Sequence, residues 1–194
     1  MTGATTHLVA FPPMLDVPAL MYMPSYIDAL KEGFVRGIGL PMSADEIAAI
    51  EEDPQRYLDK LLGPKSLTQI LPDGQTVPRV PSTLLWLVEG KTFIGEISIR
   101  HQLSKHLENM GGHIGYGITP SQRGKGYGVK SLKLALKYCK DNLDIAKVLL
   151  TVDETNIGSR RIIEICNGEL ASRGPHPYKD GTNILRYWIN TDEQ

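Results

Sequence analysis

The stretch with the most chemical content is Arg123-Gly124-Lys125-Gly126-Tyr127-Gly128, set between an apolar run ending in Ile118-Thr119-Pro120 and a helical pattern from Val129. Glycines at alternate positions let successive backbone N–H groups turn toward one point. Those donors and the positive end of the following helix make an anion site suited to phosphates, with Arg123 and Lys125 adding charge at its rim. Spacing then excludes two phosphate motifs. A P-loop needs a glycine, four residues, Gly-Lys, and then Ser or Thr; here Thr119 stands at the first place and Gly126 at the last. The dinucleotide fingerprint G-x-G-x-x-G fails as well, because Val129 and Ser131 stand where its last glycine belongs.

What fits is Arg-x-x-Gly-x-Gly directly after a strand. This resembles the acetyl-CoA loop of the GNAT superfamily of acyl-CoA N-acyltransferases. Two further segments agree. The strand Val148 to Val152 lies one helix downstream, where the superfamily has its splayed fifth strand. Asn156-Ile157-Gly158-Ser159-Arg160-Arg161-Ile162-Ile163-Glu164 is similar to the superfamily's N-x-x-S/A-x-x-apolar-apolar-Glu segment. The resemblance covers residues 83–190 well and residues 1–80 loosely. It implies an α/β fold: a mixed, mostly antiparallel sheet, a splayed parallel strand pair that holds CoA, and helices on both faces. It also implies acetyl-CoA as co-substrate, no metal, and transfer of an acetyl group to a primary amine of a small molecule or peptide by direct attack in a ternary complex. Carried over by residue, the backbone of Ile118 would pair with the pantetheine arm. Arg123, Gly124, Lys125, Gly126, Tyr127 and Gly128 would hold the pyrophosphate, and Asn156 would face the pantetheine or the thiol end.

Acetyl transfer requires that the amine lose a proton, that the tetrahedral oxyanion be stabilised, and that the thiolate leave. In the superfamily a backbone N–H on the fourth strand commonly polarises the thioester, which implies Ile118 or its neighbour here. The superfamily's base is often a carboxylate at the start of that strand, but this chain has Gly112 and His113 there. His113 could titrate near neutrality, and Glu96 on the preceding strand is the other candidate. The place of the usual acidic tyrosine holds Ile163, so either the thiolate leaves unassisted or Tyr116, Tyr178 or Tyr187 serves from elsewhere. The missing carboxylate and tyrosine keep open a second reading, a non-catalytic acyl-CoA-binding or regulatory module on the same fold. His101 and His106 are spaced wrongly for a helical metal pair.

The elements that must position these groups can be read from periodicity. Leu8 to Phe11 reads as a first strand, stopped by Pro12-Pro13. Ser25 reads as the cap of a helix with Tyr26, Ile27, Leu30 and Phe34 on one stripe, ended by Gly37 and Gly39. Ser43-Ala44-Asp45-Glu46 fits a capping box, and Asp53-Pro54 restarts a helix that Gly63-Pro64 stops. Leu71 to Pro81 reads as a loop within one fold. Residues 83–88 and 92–99 form a hairpin, and His113 to Ile118 a third strand. An amphipathic helix runs from Val129 to Lys140, with Lys130, Lys133, Lys137 and Lys140 on a wet stripe. Lys147 to Val152, almost wholly apolar, reads as a central, parallel strand. A helix over 159–166 and a hairpin from Leu170–Ser172 and Ile184–Asn190 complete the order. Trp86 and Trp188 fall in apolar runs and read as core.

Composition bounds the class. The hydrophobic fraction of 41% with 22% charged residues fits a globular chain of one domain spanning 1–194. The net charge of −1 argues against nucleic acid as a partner. No stretch approaches a membrane span, no charged leader precedes Lys31, and Cys139 and Cys166 fall in apolar helices, so a cytoplasmic setting is expected. The charge is uneven. Residues 1–80 carry −4 and read as a helical, acceptor-side portion, whereas residues 81–194 carry +3 and read as the sheet and acetyl-CoA-binding core. A negative acceptor side would suit a cationic amine. A homodimer is compatible with the sequence.

Overall fold

The computed structural model describes residues 11–37 and 39–193, and of Glu193 the backbone alone. Residues 8–10 of the expected first strand lie outside the described residues, and the first strand seen, β1 (Met14–Asp16), follows the two prolines rather than preceding them. α1 (Met23–Lys31) begins with Pro24 in its first turn. Ser25 therefore lies inside the helix and is not its cap. Its hydroxyl donates to the Tyr22 carbonyl at 3.0 Å and accepts the Phe93 N–H at 2.8 Å, tying the helix to the sheet. The helix also stops earlier than Gly37: Gly33, at φ +85°, turns the chain out at once.

The next two helices form as their caps dictate. Ser43 and Glu46 exchange hydrogen bonds at the start of α2 (Ala44–Glu52). The Asp53 carboxylate accepts the Arg56 N–H at 2.9 Å to open α3 (Pro54–Leu62). The segment read as a loop contains a small antiparallel pair, β2 (Thr68–Ile70) and β3 (Thr76–Pro78), around the Pro72-Asp73-Gly74 turn. It escaped the periodicity test because three-residue strands are too short to alternate.

β4 (Ser82–Glu89) and β5 (Thr92–Arg100) make the expected hairpin, followed by α4 (Lys105–Asn109) and β6 (Ile114–Ile118). α5 (Tyr127–Leu143), β7 (Lys147–Asp153), α6 (Ile157–Ile165), β8 (Glu169–Pro175) and β9 (Asn183–Asn190) complete the described chain. The strands form two antiparallel groups, β1-β4-β5-β6 and β7-β9-β8, beside the small β2-β3 pair. β7 is not the expected central strand: β9 holds the middle of this ladder and β7 its edge, and the apolar run on β7 is explained by Val148, Leu150 and Val152 packing into the core under α5. Its ladder partner is β9, and that pairing is antiparallel along its whole length rather than the expected parallel one, while the start of β6 meets its other side at His113 and Leu149.

Alternation on the strands builds two cores. Leu85, Leu87, Ile97 and Ile99 point to one face and pack with Leu132, Leu136 and Cys139 of α5. Trp86, Val88 and Phe93 point to the other and pack under Tyr26, Leu30 and Phe34. Trp86 is wholly buried and stacks on Tyr26, with ring centroids 4.5 Å apart and an 18° tilt. Phe93 meets both rings edge-on. Such aromatic pairs add about 0.5–1.5 kcal/mol each beyond area burial, so this cluster fixes α1 against the sheet. Trp188 departs from the expectation: it is half-buried, lying between the His113 ring and the Lys147 ammonium.

Candidate active site

The two strand groups meet at one point. The His113 N–H donates to the Leu149 carbonyl at 2.8 Å, and the Leu149 N–H donates to His113 Nδ1 at 2.9 Å. Next to it, the Gly111 N–H donates to Thr151 Oγ1 at 2.8 Å. A Cβ on Gly112 would lie 2.4 Å from the Leu149 carbonyl oxygen, and its φ of +60° already favours glycine. Beyond this junction no backbone hydrogen bond joins β6 to β7 among the described residues, so the strands part toward Ile118 and Val152. The Thr119 N–H turns inward to the Ile94 carbonyl at 2.9 Å. Antiparallel alternation therefore turns the peptide groups of Ile118 and Tyr116 outward, into the gap.

The glycine loop sits at the open end. Gly124 and Gly126 have φ of +77° and +82°, and an added Cβ on either would meet nothing within 4 Å. Both are conformational glycines beside free space. Gly126 precedes the first turn of α5, a 17-residue helix, whose N–H groups have no side-chain cap. A cradle of open glycines beneath an uncapped helix start fits a pyrophosphate. Gly128 instead serves packing. A Cβ there would come within 2.5 Å of Ile162 Cδ1, so the bare residue lets α5 and α6 close on each other. Arg123 Nε donates back to the Ile118 carbonyl at 3.1 Å, and Lys125 donates to Gln122. Tyr127 points away and donates to Glu89 at 2.6 Å. Along the lysine stripe of α5, Lys130 packs on Tyr127, and Lys137 and Lys140 pair with Asp141 and Asp192. Asn156 caps α6, its Oδ1 accepting the Ser159 N–H at 3.0 Å.

Glu96, Ser98 and Arg100 lie on the sheet face toward α1, and Gly115 and Gly117 of β6 are the bare floor beside them. A Cβ on Gly117 would stand 3.3 Å from the Phe34 ring. Glu96 is buried; its Oε2 accepts from Arg36 Nε at 2.8 Å and from Trp86 Nε1 at 3.3 Å. Its Oε1 has no partner among the described residues and is not sealed from solvent. Burial opposes the charge on Arg36, but the bond and attraction to Glu96 outweigh it and hold the guanidinium pKa above its usual range. Phe34 and Arg36 also wall a cavity of about 420 Å³ with Leu40, Pro41, Met42 and Glu46.

His113 is buried at the junction. Burial, and then the nearby Arg100 charge, lower its pKa. Because Nδ1 accepts the Leu149 N–H, the proton of the neutral ring resides on Nε2. The ring thus offers a donor where a general base would need a lone pair. Tyr116 lies on the opposite face of β6, toward α6. Its hydroxyl is sealed and lacks a hydrogen bond of ordinary geometry, though Ser159 stands near it. Burial pushes its pKa up to about 12, with Ser159 opposing the rise.

The structure thus brings Ile118, Tyr116 and the glycine loop around one gap, leaves Asn156 as the cap of α6, and places Glu96 on the sheet face below α1. Tyr178 stands elsewhere, beside His106, and the Tyr187 hydroxyl is bonded to Glu164 at 3.1 Å. Sequence reasoning missed Arg36, sixty residues from its partner Glu96, and Ser159 as the neighbour of Tyr116. Neither pairing has a local signal. The acidic residues of the first part are largely engaged in caps and pairs: Glu46 and Asp53 at helix starts, Glu51 with Lys31, and Glu32 with the Ser121 N–H.

This split sheet with its glycine loop is the frame of an acetyltransferase, and the comparisons agree. Residues 43–168 match the family described as Acetyltransferase (GNAT) domain, and the chain belongs to that family. Among solved structures it is similar to the spermidine/spermine N-acetyltransferase SpeG from Vibrio cholerae in complex with manganese ions. That pair is 13% identical with a TM-score of 0.57, covering 93% of this chain and 94% of the other. It is also similar to RimL, a ribosomal L7/L12 alpha-N-protein acetyltransferase in complex with coenzyme A. Here identity is 12% and the TM-score 0.58, covering 95% of this chain and 99% of that one. At such identities the likeness shows the fold. None of the curated proteins matches the chain.

Proposed function

We propose that the protein is an acetyl-CoA-dependent N-acetyltransferase that moves an acetyl group to a primary amine of a small molecule or peptide by direct attack in a ternary complex. The observation that carries this reading is the gap between β6 and β7, with outward peptide groups on one wall and an open glycine cradle under an uncapped helix start at its mouth. Gly124 and Gly126 with the first turn of α5 would hold the pyrophosphate. The outward peptide groups of Tyr116 and Ile118 would pair with the pantetheine arm and polarise the thioester carbonyl.

Glu96 is the group best placed to take the amine proton, directly or through one water, since its Oε1 is open while Arg36 and Trp86 fix Oε2. His113 would orient the acceptor through its Nε2 proton and hold the junction closed. Tyr116, kept protonated by burial, would supply a proton to the departing thiolate.

The test is CoA affinity by calorimetry, joined to thiol release from acetyl-CoA over a panel of amines. Gly126→Asp places a side chain at φ +82° and a negative charge in the cradle, and should abolish CoA binding while the protein stays folded. Full affinity in that variant would remove the loop assignment. CoA binding with no turnover on any amine, unchanged by Glu96→Gln, would favour a non-catalytic acyl-CoA-binding module instead.

A further inference from the structure

The strand β5 ends in a cation that the proposed chemistry leaves unused. Arg100 lies on the α1-facing side of the sheet, four residues along from Glu96 and so on the same face. Its Nη1 donates to the Gly111 and Gly112 carbonyls at 2.9 and 3.1 Å. Nε and Nη2 have no partner among the described residues and are not sealed in the core. No carboxylate pairs with it among the described residues, and burial works against its charge. A half-buried guanidinium without a counter-charge is costly unless an anion arrives to share the site.

Its neighbours make that site specific. A Cβ on Gly115 would come within 4.0 Å of Nη1, so the bare floor of β6 leads to the guanidinium. His113 is near enough for the Arg100 charge to act on it, and its Nε2 carries a proton with no partner among the described residues. On the same floor, Gly117 pairs with Glu96 and Gly115 with Ser98. Along that floor, Gly117 opposite Glu96 and Gly115 beside Nη1 are one two-residue step, roughly 7 Å, apart, with Nη1 reaching back from the far end of β5. The acidic side chains that would have favoured a polyamine are mostly engaged in caps and pairs.

We propose that the acceptor is an amine that also carries a carboxylate, received by Arg100 and the Nε2 proton of His113 while the amine lies by Glu96. This rests on the acetyltransferase reading above and names its substrate class. A dipeptide has the right reach, since two extended residues span about 7 Å.

The test uses the full chain saturated with CoA and two acetylated probes, N-acetyl-glycylglycine and its C-terminal amide, with affinities from calorimetry. No turnover is needed. The carboxylate probe should bind about tenfold or more tighter than the amide, the margin of one charge-assisted pair. Arg100→Gln should erase that margin, and Arg100→Lys should keep part of it, with the CoA affinity of both variants unchanged. Because Arg100 also ties down Gly111 and Gly112, the comparison of the two probes on unaltered protein stands by itself if the variants fold poorly. Equal affinity for the two probes on CoA-loaded protein would overturn the acceptor assignment alone, as would a margin that survives in Arg100→Gln. Failure to bind CoA would overturn the acetyltransferase reading, and this assignment with it.

Discussion

Replacing Tyr116 with phenylalanine should move stability and activity in opposite directions. The hydroxyl is sealed from solvent without a hydrogen bond of ordinary geometry, so folding strips it of water and returns little. A buried unpartnered polar group costs about 1–3 kcal/mol. Ser159 stands nearby and offsets part of this, so Tyr116→Phe should stabilise the apo protein by about 1 kcal/mol, a rise in melting temperature of about 2–4 °C at this chain length.

The ionisation adds a second signature. The Tyr116 pKa rises from 10.0 to about 12 on folding. The folded state therefore binds more protons than the unfolded state between those values, and nothing extra below pH 10. Wild type should lose stability as the pH climbs through that window, and the phenylalanine variant should lose less. If the hydroxyl donates to the departing thiolate, kcat should fall about 10–100-fold, the low end for general acids because a thiolate leaves readily. Thermal unfolding across pH and a thiol-release assay at saturating acetyl-CoA read the two effects separately. A variant less stable than wild type would show that the hydroxyl is well bonded, and an unchanged kcat would remove it from the chemistry.

Three more outcomes follow from the geometry. Glu96→Ala leaves Arg36 half-buried without its partner and should cost about 3 kcal/mol in denaturant unfolding, whereas Glu96→Gln should cost less and still lower kcat. Gly128→Val drives a side chain into Ile162 and should destabilise by about 1–3 kcal/mol; adding Ile162→Ala should restore part of that, and full additivity of the two would deny the contact. The pKa of His113 is depressed below 6.5 by burial and Arg100, so the unfolded state binds its proton first as the pH falls. Its share of stability is complete above 6.5 and drains away below, and His113→Asn should flatten that limb of a stability–pH curve.

The features readable in the sequence were those with a local cause. The capping box at Ser43, the Asp53-Pro54 restart and the β4–β5 hairpin each follow from residues within a few positions of one another. The open loop at Gly124 and Gly126 was legible because left-handed glycines must be written as glycines; the packing of Gly128 against Ile162 was not, because a glycine kept for tight helix packing is written the same way. Ser25 looked like a cap but faces Phe93 across the chain, a contact that no window around it contains. Arg36 with Glu96 and His113 with Leu149 were invisible for the same reason, being pairings that only the assembled sheet creates. His113 stood out by residue type, yet which of its nitrogens is free depends on a backbone group thirty-six residues away.

The junction at Gly112 and His113 bears on how the protein avoids its own kind. A gap between two strands exposes unpaired peptide groups along both walls, the feature by which sheets recruit foreign strands and aggregate. Strand pairing demands a constant spacing of about 4.8 Å along the whole edge. Here the walls touch at one end, where Gly112 leaves no room even for a Cβ against Leu149, and stand apart at the other. An incoming strand could satisfy one wall over a residue or two before being squeezed out at the apex. A slender chain that ends partway in, with few peptide groups of its own, meets no such obstacle. The taper proposed to receive the pantetheine would also keep polymer growth from starting in the cleft.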